Sequence, residues 1–506
     1  MKQLANIVES INNYLSGYIL VFLLVGVGLY FTIRTKFVQV RCFGEGFKKL
    51  FVKKKDGDAK GISPFQALAT AVAAQVGTGN LVGSCGAILV GGPGAIFWMW
   101  IIAFLGMATN YAEAVLAQKT KIVSEGGEVH GGPVYYIRRA FNGKFGKGLA
   151  SFFAVAIIIA LGFIGAMVQS NSITENISGA ISSTFSVDEA SVKSYMWIVG
   201  LVVAALTAVI VIGGVKKLAS VTSVVVPVMA ILYIVGGLIV ICVNIKNVPE
   251  AFGMIFKYAF KPNAILGGGL GGALVLAIQK GAQRGLFSNE AGMGSTPHAH
   301  AQADVKDPHD QGVVAMVGVF IDTFIVLTMT ALVVICTLYA GDGPLSGIVG
   351  VDPKADAMSF EEIAKATVNL TSGNMVQEAF KITFTKIFGN EALGSAIGSI
   401  FVAICLFFFA FSTIISWNFF GKVNFNYLFG KKFTLIYSII SIACVFLGSI
   451  GSNDLVWGLS DMFNNLMVIP NVIALFALGS MVFEGIKKKK GISVEGSLVN
   501  EGANEE

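Results

Sequence analysis

Two stretches of this chain set polar, backbone-loosening residues inside segments that are otherwise apolar enough to cross a bilayer. In "QVGTGNLVG" (75–83), Gly77 and Gly79 lower the cost of leaving helical angles, while Thr78 and Asn80 bring oxygens and an amide to mid-segment. Unwinding there exposes N–H groups at the start of a second half-helix, a positive dipole end suited to a carboxylate. It also frees carbonyls around Ala73 to Val76, which suit a small hard cation. The second stretch, "KGAQRGLFSNEAGMGS" (280–295), surrounds Ser288, Asn289 and Glu290 with Gly285, Gly292 and Gly294. Asn289 is placed to cap a new half-helix, with Glu290 in its first turn. A lone glycine-rich kink is common, because glycine also lets helices pack closely. Two kinks with clustered Ser, Thr or Asn, in corresponding positions of two halves, are instead the sequence mark of an inverted-repeat secondary transporter.

The elements that must position these breaks are spanning helices. Of the 506 residues, 55% are hydrophobic and 13% charged, where a soluble domain carries about 25% charged residues. The composition excludes an ordinary soluble enzyme. Apolar runs long enough to cross the hydrocarbon core, roughly 20 residues each, fall at 15–33, 65–91, 94–118, 150–175, 195–213, 219–243, 267–300, 311–340, 393–420, 433–450 and 456–483. An all-α integral membrane protein of about 11 transmembrane helices is therefore expected, with the breaks in the second and seventh. The domain map reads 1–63 as an extra first span and loop and 64–483 as a transporter core, with halves at about 64–243 and 267–483. The polar tail 484–506 is expected to be disordered.

With an odd number of spans the termini lie on opposite sides. Loops on the side of 34–63 then hold 25 Lys and Arg, against 9 on the other side. By the positive-inside rule the N-terminus is outside and the C-terminus cytoplasmic. Dispersed basic residues of this kind are topology signals, and nucleic acid is not an expected partner. The longest extracytoplasmic connection, 341–392, contains an amphipathic stretch at 360–368 and is expected to lie over the bilayer as a lid or interfacial helix. The six scattered cysteines are read as small packing residues.

The sequence also resembles the alanine or glycine:cation symporters, often called sodium:alanine symporters. The resemblance is carried by "GTGN" at 77–80, "GGPGAIFWMW" at 91–100, "GGPVYYI" at 131–137, "RGLFSNEAGMGS" at 284–295 with "AHA" at 299–301, and "SWNFFG" at 416–421. It implies a leucine-transporter-type five-plus-five inverted repeat preceded by one extra helix, in the cell membrane. It further implies Na⁺-driven import of a small neutral amino acid, chiefly alanine or glycine, with Na⁺ as coupling ion and no organic cofactor. His298, where a small or apolar residue is expected, is a departure from the family pattern.

On this reading the amino acid lies between the breaks. Its carboxylate meets N–H groups near Thr78, Gly79 and Asn80. Its ammonium meets carbonyls near Phe287 and Ser288, beside Asn289, or the side chain of Gln169; an interhelical hydrogen bond is the other reading of Gln169. In the family's fold the usual sodium site pairs the unwound second span with hydroxyls of a later helix, which implies the carbonyls of Ala73 and Val76 with Ser412 and Thr413. The other reading of those hydroxyls is that they bond back one turn along their own helix. Trp417 either walls the pocket or serves as an interfacial anchor. Asp322 is an intramembrane acid expected to pair with Lys280 or Arg284, whereas Glu113 and Glu175, near span ends, are expected to reach water. His298 and His300 are two residues apart and point to opposite sides of a helix. No P-loop, Ser-His-Asp order or zinc spacing appears, so no enzyme activity is expected. The alternatives to a sodium symporter are a proton-coupled transporter of the same fold, a non-transporting amino-acid sensor, and a channel. The channel is disfavoured by the lack of a short pore repeat and of rings of like charge.

Overall fold

Long apolar runs and well-placed helix caps decide the architecture. The computed structural model describes residues 2–51, 61–125, 127–260, 270–346, 370–451 and 454–489. Among them nine helices are long and apolar enough to cross a membrane, and one bent pair makes a tenth. In chain order the elements used below are α1 (Gln3–Arg34), α2 (Phe43–Leu50), α3 (Pro64–Gln75), α4 (Gly79–Gly91) and α5 (Ala95–Thr120). There follow α6 (Gly143–Phe185), α7 (Trp197–Ile212), α8 (Gly214–Val243), α9 (Val248–Phe260) and α10 (Leu270–Asn289). The remainder are α11 (Pro297–Ala301), α12 (Pro308–Tyr339), α13 (Met375–Phe388), α14 (Glu391–Phe429), α15 (Thr434–Ile450), α16 (Asp454–Ala477) and α17 (Gly479–Lys489). The first span begins nearer the N-terminus than hydropathy indicated. The seventh expected span resolves into α10, a turn and the short α11. The stretch 360–368 and the tail beyond 489 lie outside the described residues.

The bent pair shows how the sequence starts and stops a helix. Ser63 Oγ accepts from Gln66 N at 3.2 Å, Gln66 Oε1 accepts from Ser63 N at 3.1 Å, and Pro64 occupies the first turn. The helix ends at Val76, whose ψ of 86° turns its carbonyl off the helical path. The chain resumes as α4, bent by 48° from α3.

Around this pair the helices bury an apolar core that includes Tyr111, Phe153, Phe409, Trp417 and Phe420, each under 2% exposed. Outward faces of α7, α8 and α15 carry Leu201, Ile212, Val224, Ile231, Leu435 and Ile439, apolar and exposed, as a lipid-facing surface requires. Helix α13 belongs to the expected extracytoplasmic connection. It buries Met375, Val376, Ala379 and Phe380 and folds back on α14 through a turn at Gly389. Helix α14 is 39 residues long without an internal proline.

Candidate functional site

At the first break two of the freed N–H groups are met by side-chain oxygens. Gly77 N donates to Asn80 Oδ1 at 3.0 Å and Thr78 N donates to Gln169 Oε1 at 3.3 Å. Asn80 Nδ2 in turn donates to Asp322 Oδ1 at 2.6 Å. Ser288 Oγ, at 3.0 Å from both carboxylate oxygens, and Thr323 Oγ1 complete the set of donors on Asp322. The expected pairing of Asp322 with Lys280 or Arg284 is not formed. Arg284 instead reaches Asp461 at 3.4 Å, because it projects from α10 toward α16.

The two breaks touch. A methyl group on Gly79 would lie 3.2 Å from both the ring of Phe287 and Cα of Ser288, so the start of α4 rests on the end of α10. Gly77 is tighter still: a Cβ there would fall 2.4 Å from Thr413 Oγ1, a distance no ordinary contact allows. Phe287 and Trp417 meet edge to face, with centroids 6.0 Å apart. Thr78, Asn80, Gln169, Ser288, Asn289 and Trp417 are all buried at 1% exposure or less. Among the described residues, two polar atoms in this group have no hydrogen-bond partner: Thr78 Oγ1 and Gln169 Nε2.

Beside the first break, Thr413 Oγ1 lies 2.9 Å from Ala73 O and 3.0 Å from Phe409 O. Ser412 Oγ lies 3.4 Å from Ala73 O and 2.9 Å from Phe409 O. A hydroxyl carries one proton and can serve only one of the acceptors around it well. With both protons on Phe409 O, one turn back along α14, the hydroxyl lone pairs and Ala73 O converge as three neutral oxygens, a donor set that fits a small hard cation.

The second break is closed differently. Glu290 adopts the left-handed region (φ 56°), as do Gly292 (φ 91°) and Gly294 (φ 81°), which only glycine enters cheaply. Asn289 Oδ1 accepts from Ala291 N at 3.1 Å and closes a turn. The half-helix it was expected to cap does not follow, since α11 starts only at Pro297. Glu113 was expected to reach water, yet it is fully buried. It accepts from Gly292 N at 3.1 Å, Gly294 N at 3.0 Å and Asn471 Nδ2 at 2.6 Å. The Glu290 carboxylate accepts from Ser295 Oγ and Trp417 Nε1, which fixes Trp417 inside the core rather than at an interface. Gln75 Nε2 donates to Asn289 O at 2.7 Å and ties the two breaks together.

His298 is sandwiched between Phe153 and Phe420, with Nδ1 2.7 Å from Ser295 O and Nε2 2.8 Å from Asn424. His300 faces Gln311 instead. A separate cavity of about 460 Å³ opens beside Val129 and His130, a short strand paired with Ile122–Val123. It is lined by Ile415, Asn418, Phe419, Lys422 and Asn426 of α14 together with Gln302 and Lys216. None of the expected substrate or cation residues lines it.

Residues 1–496 match the model of the sodium:alanine symporter family. The chain belongs to this family. It is 38% identical over 484 residues to the sodium/alanine symporter AgcS of Methanococcus maripaludis, covering 95% of this chain and 96% of that one. It is 39% identical over 483 residues to an uncharacterized transporter of Haemophilus influenzae, covering 95% of each. The amino-acid carrier protein AlsT of Bacillus subtilis is 37% identical over 469 residues, 92% of this chain and 88% of that one. The family and the apolar helices together make the chain a multi-pass membrane transporter rather than an enzyme.

Proposed function

We propose that this sodium:alanine symporter family member couples Na⁺ entry to the import of a small neutral amino acid, alanine or glycine, by alternating access. The architecture we assign is eleven spans, a five-plus-five inverted repeat after one extra helix, with the N-terminus outside. The substrate carboxylate is received near Thr78, Gly79 and Asn80. Its ammonium lies toward the carbonyls of Phe287 and Ser288, beside Asn289, with Phe287 and Trp417 as walls; Gln169 Oε1 already accepts from Thr78 N, which leaves Nε2 of that side chain as a donor to the carboxylate. Na⁺ is held by the carbonyls of Ala73 and Val76 and the hydroxyls of Ser412 and Thr413.

One observation carries this reading: Thr78 Oγ1 and Gln169 Nε2 are buried without partners where the two breaks touch. A buried polar atom left unpaired costs about 1–3 kcal/mol. A zwitterion lodged there offers carboxylate oxygens to the Gln169 amide and the Thr78 hydroxyl and removes that cost. The contact between Gly79 and Phe287 leaves little width, which favours an alanine-sized guest.

A proton-coupled variant has its own support. Glu290 and Asp322 are fully buried, and neither has an ion-pair partner among the described residues. The test is uptake of labelled L-alanine into proteoliposomes under inward Na⁺, K⁺ or proton gradients. Accumulation driven by Na⁺ alone is expected. Accumulation under a proton gradient alone would transfer the coupling to Glu290 or Asp322, and saturable binding with no accumulation under any gradient would make the protein a sensor.

A further inference from the structure

Outside the two breaks, the segment after α1 and the start of α12 bring three metal-ligating side chains together. Cys42 precedes α2 and Glu45 stands three residues later, so both face the same side of the first helical turn. His309 lies in the first turn of α12 and is 3% exposed. One ligand atom from each of the three lies within 4.8 Å of the other two. The Glu45 Oε2 to His309 Nε2 distance is 3.5 Å. Ligand atoms around a tetrahedral zinc ion lie about 3.5 Å apart, so Glu45 and His309 already have that spacing and the thiol needs only a small approach.

The surroundings fix the histidine in the orientation a metal requires. Nδ1 of His309 lies 2.7 Å from the buried Tyr111 hydroxyl, and the two rings pack edge to face at 5.6 Å. A ligating histidine normally engages its second ring nitrogen in such a bond, which sets the tautomer and directs Nε2 at the ion. Here Nε2 is the atom turned toward Glu45. The two elements are also locked together: a Cβ on Gly46 would fall 2.5 Å from Val313 O, and Lys49 pairs with Asp310 at 2.9 Å.

We propose that Cys42, Glu45 and His309 form a zinc site with an open fourth position for water. Sulfur, imidazole and carboxylate are the donors zinc prefers. Binding converts the Cys42 thiol to a thiolate and releases its proton to solvent. Thiolate and carboxylate then neutralise the ion's two charges. The partly exposed Glu45 and Cys42 give the ion a route in.

The experiment is a Co²⁺ titration of the purified, tag-free full chain in detergent, followed by Zn²⁺. We expect one equivalent of Co²⁺ to produce a thiolate-to-cobalt charge-transfer band with tetrahedral d–d absorption, and Zn²⁺ to abolish both. Cys42→Ala should remove the charge-transfer band while leaving the thermal melt of the metal-free protein unchanged. Tyr111→Phe, which alters only a positioning residue, should weaken binding about 10- to 100-fold and keep the stoichiometry. The same charge-transfer band in Cys42→Ala, or no band in the wild type, would overturn the site.

Discussion

The two breaks answer the same problem, orphaned backbone groups inside a membrane, by opposite means. The first is closed by the neutral amide oxygens of Asn80 and Gln169, with the Asp322 carboxylate one step behind Asn80, and leaves three polar atoms over, Gln75 Oε1, Thr78 Oγ1 and Gln169 Nε2. At the second, carboxylates do the closing: Glu113 holds Gly292 N and Gly294 N, while Glu290 holds Ser295 and Trp417. Charge-assisted bonds are roughly twice as strong as neutral ones, so the second break is a fixed abutment. The first retains unused bonding capacity, which is what a site for a transient guest requires. Changes at the second break should therefore lower stability, and changes at the first should lower affinity.

The largest test of that contrast is Glu113→Ala, which strands two buried N–H groups and the Asn471 amide. We expect a loss on the order of 3 kcal/mol or more, seen as a lower melting temperature in detergent. A normal melt with weakened alanine binding would invert the assignment. Next is Gly77→Ala, whose methyl would collide with Thr413 Oγ1 at 2.4 Å. Overpacking of this kind costs about 1–3 kcal/mol, and it falls on the proposed cation site, so Na⁺-driven uptake should collapse at unchanged surface expression. Thr413→Ala should raise the Na⁺ concentration for half-maximal uptake about tenfold, equivalent to about 1.4 kcal/mol, with little effect on the melt. Unchanged Na⁺ dependence would leave Thr413 with its bond to Phe409 O alone. The smallest effect is expected of Thr78→Val, which deletes only the unpartnered hydroxyl. A guest that uses the hydroxyl loses about one hydrogen bond, roughly 1 kcal/mol or fivefold in alanine affinity. Unaltered affinity with a higher melting temperature would show the hydroxyl to be merely buried.

Much of this was legible in the sequence because it is local. Apolar length marks the spans, and glycine beside Thr or Asn marks a lapse in the helix, so both breaks and the two hydroxyls of α14 stand out. The capacity of Asn80 to accept and donate at once was also readable, although its partner Asp322 was not. Sequence reasoning failed where a residue's role depends on elements far away in the chain. Glu113 sits late in an apolar helix and looks like a residue reaching for water, until the turn at 291–294 is laid against it. Arg284 looks like the natural partner of Asp322, but α16 brings Asp461 to it first. The left-handed conformation of Glu290 has no local signature, and one of the two groups that hold its side chain, Trp417, lies far away in the chain. Cys42, Glu45 and His309 form no sequence motif and become neighbours only through the packing of α2 on α12.

Helix α14 has a mechanical consequence. Thirty-nine residues make a rod about 58 Å long, nearly twice the thickness of the hydrocarbon core of about 30 Å. It carries Ser412, Thr413 and Trp417 near its middle, and Lys422 and Asn426 of the 460 Å³ cavity toward its end. With its fulcrum at Thr413, a tilt of about 5° sweeps Phe429, about 24 Å away along the axis, through about 2 Å. That travel is comparable to the radius of a water molecule. Such a tilt would leave the hydroxyls at the fulcrum almost in place while shifting Lys422 and Asn426 against the opposite wall of the 460 Å³ cavity.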